Sequence, residues 1–169
     1  MGENGPLLLL TNRYPFGSGE EYLEHEIRHL AQRFERIVVL PCMPPTSATE
    51  RAVPNNVDVV RYQQPNHHRA LPRMLWNGHK ALSLRPRHPV HRAYDSYFEG
   101  RARAVTDAAM PGLMDALQGQ APSVVYSYWF YITAKVGIEL RRIFGWDARV
   151  VTRAHGYDVN VHASPVRYL

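Results

Sequence analysis

The run Arg153-Ala154-His155-Gly156-Tyr157-Asp158 gathers the most chemically capable side chains of this sequence. A histidine followed by glycine can bring an imidazole and a stretch of bare backbone up to a ligand. The ring can donate to hydroxyl groups or exchange a proton near neutral pH. The residues alone support equally a plainer reading, in which His155 and Asp158 stabilise each other at the end of a strand. A second candidate is Gly17-Ser18-Gly19, followed by Glu20 and Glu21. A glycine turn feeding a helix N-terminus aims backbone N–H groups at an anion, although the two glutamates partly oppose a phosphate there. Taken alone, this turn reads first as a tight loop before a capped helix. Tyr128 and Trp129, two adjacent rings, make a third candidate.

Other patterns find no support in their surroundings. His25-Glu26-Ile27-Arg28-His29 matches the H-E-x-x-H zinc pattern. On a helix counted at about 100° per residue, His25 and His29 fall about 200° and 240° from Leu23, away from the apolar stripe. The sequence marks no third ligand, so a zinc hydrolase is the weakest of the readings. A dinucleotide site fails because Tyr22 stands where G-x-G-x-x-G needs its third glycine, and the second strand ends in Leu40-Pro41-Cys42 with no acid for a ribose. Cys42 is the single cysteine, which excludes an internal disulfide and reads as a small core residue.

These candidates need elements to hold them. Leu7 to Thr11 is apolar enough for a parallel strand covered on both faces. Ser18 can then cap a helix with Glu21 as its capping-box partner. Leu23, Ile27, Leu30 and Phe34 follow at helical spacing to near Arg36. Ile37 to Leu40 is a second strand, which completes a βαβ unit. A weaker third strand spans Val57 to Tyr62. Phe98, Ala102, Val105, Ala109, Leu113 and Ala116 trace a long helix that Pro111-Gly112 should kink or split. A fourth strand covers Ser123 to Trp129. A helix on Ile132, Val136, Leu140 and Ile143 stops at Gly145, and a fifth strand runs from Ala148 to Ala154. Alternating strands and helices predict an α/β fold with a doubly wound, mainly parallel, Rossmann-like sheet. In such sheets ligands bind at the carboxyl ends of the strands, where all three candidate clusters fall.

The chain has 169 residues, 45% of them apolar and 21% charged, as expected of one globular domain. The aliphatic runs are far shorter than the ~20 residues of a membrane span, and no signal peptide is visible. A cytoplasmic protein is expected. Its charge is segregated. Residues 1–66 hold six Arg against eight acids, and residues 93–169 hold eight Lys or Arg against seven. Residues 67–92 hold six Lys or Arg, five of the nine His and no acid. This stretch can meet the phosphates of nucleic acid, anionic lipid or a nucleotide. Its plainer reading is a solvated loop between two core elements.

Two boxes carry a resemblance. Leu8-Leu9-Leu10-Thr11-Asn12-Arg13-Tyr14-Pro15-Phe16-Gly17-Ser18-Gly19-Glu20, continuing to Glu26-Ile27 and Leu30-Ala31, resembles the start of bacterial GT-B glycosyltransferases of the family-4, polysaccharide-assembly type. Tyr126-Ser127-Tyr128-Trp129, followed by a helix and Val151-Thr152-Arg153-Ala154-His155-Gly156-Tyr157-Asp158, resembles a later segment of the same family. Residues 43–96 add little to the likeness.

The resemblance implies a transferase that moves a sugar from a nucleotide donor to a saccharide or lipid-linked acceptor. It implies that residues 1–169 form the acceptor-side half of a GT-B fold, and that the nucleotide-binding domain with its Glu-x7-Glu segment is missing. The chain alone is then expected to be inactive, whether as a fragment or as half of a split enzyme. By the same likeness, the loop Gly17, Ser18, Gly19 and Glu20 approaches the donor diphosphate. His155 and Asp158 serve catalysis, while Tyr128, Trp129 and Arg153 take the acceptor. Retention of anomeric configuration is implied, and neither a metal nor another cofactor is needed beside the nucleotide-sugar substrate.

The basic 67–92 stretch fits an acidic acceptor or a peripheral place on the inner membrane face, where each cation near an anionic surface is worth ~1 kcal/mol. The rival from another class is a non-catalytic binding module whose basic segment holds nucleic acid or a partner protein. Nucleic acid is not expected, because Trp76 is the single aromatic residue in that stretch.

Overall fold

The computed structural model describes residues 5–45, 47, 49–65, 67–81 and 89–156. Its elements are β1 (Leu7–Thr11), α1 (Leu23–Arg33), β2 (Ile37–Pro41), β3 (Val57–Val59), α2 (His67–Ala81), α3 (Pro89–Leu117), β4 (Val124–Ser127), α4 (Ile132–Phe144) and β5 (Arg149–Thr152). The strands form one sheet in the order β3-β2-β1-β4-β5, and every neighbouring pair is parallel. This is the expected Rossmann-like α/β architecture. The chain winds outward from β1 through β2 to β3, then crosses to the other side of β1 for β4 and β5. The order reverses between β1 and β4, the place where sheets of this class take a ligand at the carboxyl edge.

Period-two alternation divides the core between the two faces of the sheet. Leu8, Leu10, Val38, Leu40 and Val125 pack beneath α3 and α4, against Val105, Ala109, Leu113, Val136 and Leu140. Leu7, Leu9, Ile37, Val39 and Val124 face α1, where Leu23, Ile27 and Phe34 close the other layer. β1 is buried along its whole length, as a central parallel strand must be.

Several boundaries differ from the sequence reading. β3 stops at Val59. Val60 N still donates to Val39 O at 2.9 Å, but Pro41 has no N–H with which to extend the ladder. β4 and β5 are shorter than expected because the chain turns away after Ser127 and Thr152. α1 begins at Leu23, so Ser18 lies too early to cap it, and the N-cap residue Tyr22 makes no side-chain cap bond. α3 runs unbroken through Pro111, held on both sides of it by buried Ala109, Leu113 and Leu117. Gly145 ends α4 in the left-handed conformation expected of it, with φ 63°.

The largest correction concerns the basic stretch, most of which is helical. α2 packs along α3 with Met74 and Gly78 buried between them. A Cβ on Gly78 would overlap the carbonyl oxygen of Ser96, and one on Gly100 that of Met74, so the two backbones touch. Among the described residues no helix is long and apolar enough to cross a membrane.

Candidate functional site

The loop after β1 is organised by one carboxylate. Glu20 is 3% exposed. Its Oε1 accepts hydrogen bonds from Asn12 N at 2.9 Å and from the Trp129 indole Nε1 at 2.6 Å. Its Oε2 accepts from Arg13 N at 2.6 Å and Tyr14 N at 2.7 Å. Three consecutive backbone N–H groups of this kind form an anion-binding concavity, and here the protein's own side chain fills it. Gly17 and Gly19 take φ of 79° and 100°, which few residues other than glycine adopt. Their N–H groups are also engaged: Gly17 N donates to Thr49 O at 3.3 Å, and Gly19 N to Glu21 Oε1 at 2.9 Å. Ser18 is exposed at the tip. Glu20 thus anchors the loop rather than facing an incoming phosphate.

A second carboxylate ties α1 to the far strands. Glu26 lies three residues after Leu23 and so at the margin of the face that α1 turns to the sheet. Its Oε1 accepts from the Tyr126 hydroxyl at 2.8 Å, and its Oε2 from Arg153 Nη1 at 2.6 Å. The same Arg153 nitrogen reaches the Tyr128 hydroxyl at 3.0 Å, and the guanidinium lies 5.1 Å from the centre of that ring. Burial, together with the hydrogen bond to Glu26, pushes the Tyr126 hydroxyl up to about 12. Burial and the nearby Glu26 charge raise Tyr128 in the same direction. Glu26 is therefore committed to the sheet, while the flanking His25 and His29 are exposed. Among the described residues no group of three or more His, Cys, Asp or Glu is placed to hold a metal ion.

His155 completes the cluster. Its Nε2 stands 3.0 Å from Tyr128 O. A carbonyl only accepts, so this nitrogen carries a proton and donates it. The ring centre lies 4.3 Å from that of Trp129 and 5.2 Å from that of Tyr128. Tyr22 covers Tyr128 at 5.8 Å and donates its hydroxyl to Gly19 O at 3.3 Å, linking the glycine loop to the rings. The turn after β4 is fixed at the Trp129 carbonyl, which accepts from the hydroxyls of Ser127 at 2.6 Å, Thr133 at 2.7 Å and Thr152 at 3.3 Å.

The carboxyl edge thus brings together Glu20, Tyr128, Trp129, Arg153 and His155 from the sequence reading. Asp158 lies outside the described residues. Tyr128 is 1% exposed and already covered by Tyr22 and Arg153, so it offers no open ring face, whereas Trp129 is half-buried beside His155. Tyr22, Glu26 and Tyr126 join the cluster without having been singled out for it. Helical phase could have found Glu26, an acid next to the apolar stripe of α1, but nothing local marks either tyrosine. No family model matches this chain, and neither a curated protein nor a solved structure matches it.

Proposed function

We propose that this chain is the acceptor-side domain of a nucleotide-sugar-dependent GT-B glycosyltransferase, and that it holds a saccharide or lipid-linked acceptor at the crevice between β1 and β4. One observation carries the reading. The two boxes that resemble such enzymes are joined to each other at the carboxyl edge, Glu20 of the first holding Trp129 of the second, and Glu26 holding Arg153. Both bonds fall at the carboxyl edge, where parallel α/β sheets take their ligands. In this reading His155 faces the sugar with its ring fixed by the Tyr128 carbonyl. Arg153, held by Glu26, supplies the positive charge beside it, and Trp129 gives the half-buried ring against which a sugar's apolar face rests.

The indole N–H resonance of Trp129 reports on the site directly, because its proton sits against a carboxylate. Titrating the chain with free oligosaccharides and short-chain lipid-linked saccharides should shift that resonance saturably, and His155→Ala and Arg153→Gln should each weaken the response about tenfold or more, as expected for a lost polar contact of ~1.5 kcal/mol. If no glycan moves it while oligonucleotides bind in a salt-dependent manner, the reading fails in favour of a non-catalytic nucleic-acid module.

A further inference from the structure

We propose that a pocket at the carboxyl ends of β2 and β3 binds a small aromatic carboxylate, with the ring inside and the carboxylate at Arg61. The pocket has a volume of about 240 Å³, room for one phenyl or indole group with a short side chain. It lies where β3 stops short: the last pair is Val39 with Val59, and β2 runs on to Pro41. Phe16, Met43, Val60 and Tyr62 give it apolar walls, and Arg61 and Gln64 line it as well. The walls are fastened by the chain itself. Phe16 pairs with Glu50 in an antiparallel bridge, flanked by Arg51 N donating to Pro15 O at 3.0 Å. Met43 N donates to Asn12 O at 2.7 Å. The Pro41 carbonyl accepts from the Tyr62 hydroxyl at 2.7 Å and from Gln64 Nε2 at 3.0 Å, and the same Gln64 nitrogen donates to the Tyr62 oxygen at 2.6 Å.

Arg61 sets the chemical class. Its guanidinium lies 5.4 Å from the centre of the Phe16 ring. Both oxygens of Glu50 accept from its Nη2 at 2.7 Å, which among the described residues leaves Nε and Nη1 for a second acceptor. A charged acceptor makes the stronger bond to such a donor. A flat apolar ring matches Phe16 and Tyr62, and the Met43 thioether favours an aromatic neighbour. A saccharide suits this pocket poorly. Tyr62 and Gln64 already spend their donors on Pro41 and on each other, so few polar groups remain to meet a row of hydroxyls. The proposal is independent of the sugar-transfer reading, since the pocket stands at β2 and β3 whereas Trp129 and His155 follow β4 and β5.

The test titrates the whole chain, labelled at its methionine methyls, with 3-phenylpropionate and with indole-3-acetate. The Met43 resonance, identified by its loss in Met43→Leu, should shift saturably at millimolar concentrations of either acid. Acetate, which has no ring, should leave it in place. The uncharged 3-phenylpropionamide should bind about fivefold more weakly than its acid, and Arg61→Gln should weaken the acid by the same factor, as expected of an exposed ion pair. Phe16→Leu keeps an apolar side chain but removes the ring, and should weaken both aromatic acids. Arg61 is exposed, and circular dichroism confirms that the variants fold. No saturable shift at Met43, equal binding of acid and amide, or unchanged affinity in Arg61→Gln would each overturn the proposal. A shift of the Trp129 indole resonance in place of Met43 would overturn it too, whereas failure of glycans to move Trp129 would leave it standing.

Discussion

The loop after β1 and the helix α2 are fastened to the same fold by contrasting means. In the loop, three consecutive backbone N–H groups and an indole N–H converge on the Glu20 carboxylate, with almost no solvent admitted. In α2, the fastening is a seam where Gly78 and Gly100 let two helix backbones touch and where Met74 is buried. Directional bonds to a buried charge depend on that charge and on every donor around it. A steric seam depends only on nothing being added, and it leaves the outer face free to carry any chemistry. The difference explains how a chain can hold a rigid polar edge at one end of its sheet and a basic, ring-bearing surface on an outer layer.

The comparison can be broken most severely at Glu20. Glu20→Ala leaves several buried donors without an acceptor, at about 1–3 kcal/mol for each group. We expect urea denaturation to show a loss of about 4 kcal/mol, with Glu20→Gln recovering roughly half because one acceptor oxygen remains. A loss under ~1 kcal/mol would mean that the loop does not depend on this carboxylate. At the seam, Gly100→Ala should cost about 2–3 kcal/mol by overpacking. Hydrogen exchange should then show α2 amides losing protection while those of β1 keep theirs. Uniform loss across both would show that α2 and the sheet are one cooperative unit.

Alkaline pH separates the regions more gently. Tyr126 and Tyr128 hold their protons more tightly folded than unfolded. Their contribution is fully present below the ordinary tyrosine value near 10 and is lost as pH rises toward about 12, where Tyr126 titrates in the folded chain. Stability measured by circular dichroism should fall across that window, and Tyr126→Phe should flatten the fall. An unchanged profile in the variant would remove Tyr126 as its source. The smallest effect is expected from Trp76→Ser, which should alter folding stability by no more than ~0.5 kcal/mol because the ring packs on little. A larger loss would mean that the outer face of α2 is part of the core after all.

Unequal legibility of these regions in the sequence has a physical cause. Leu7 to Thr11 and Ile37 to Leu40 announce buried parallel strands because burial on both faces demands unbroken apolar runs. The stripes of α1, α3 and α4 announce themselves by period. α2 does not, because a helix that packs by glycine contact needs few apolar positions, and its run of His, Arg, Pro and Gly reads as a loop. At the edge, the residues Trp129, Arg153 and His155 stand out by type and by strand-end position. The role of Glu20 was hidden. An acid beside a glycine turn reads as an obstacle to phosphate, and the donors that make it an anchor include an indole far along the chain. Glu26 is legible by its helical phase on α1, but its partners are not, since Tyr126 and Arg153 lie on β4 and just beyond β5.

The strand order has a consequence for how the molecule comes together in time. β1 pairs on one side with β2, reached after a single short helix, and on the other with β4, reached only after most of the chain has passed. Closing the longer loop costs more chain entropy, and pairings of this kind come late. The bonds of the carboxyl edge span even greater separations, 109 residues from Glu20 to Trp129 and 127 from Glu26 to Arg153. Residues 5–59 can therefore collapse as a βαβ nucleus before any crevice exists. The edge where chemistry is expected forms only when the second half of the sheet has arrived, so a partly folded chain would carry a sheet but no site.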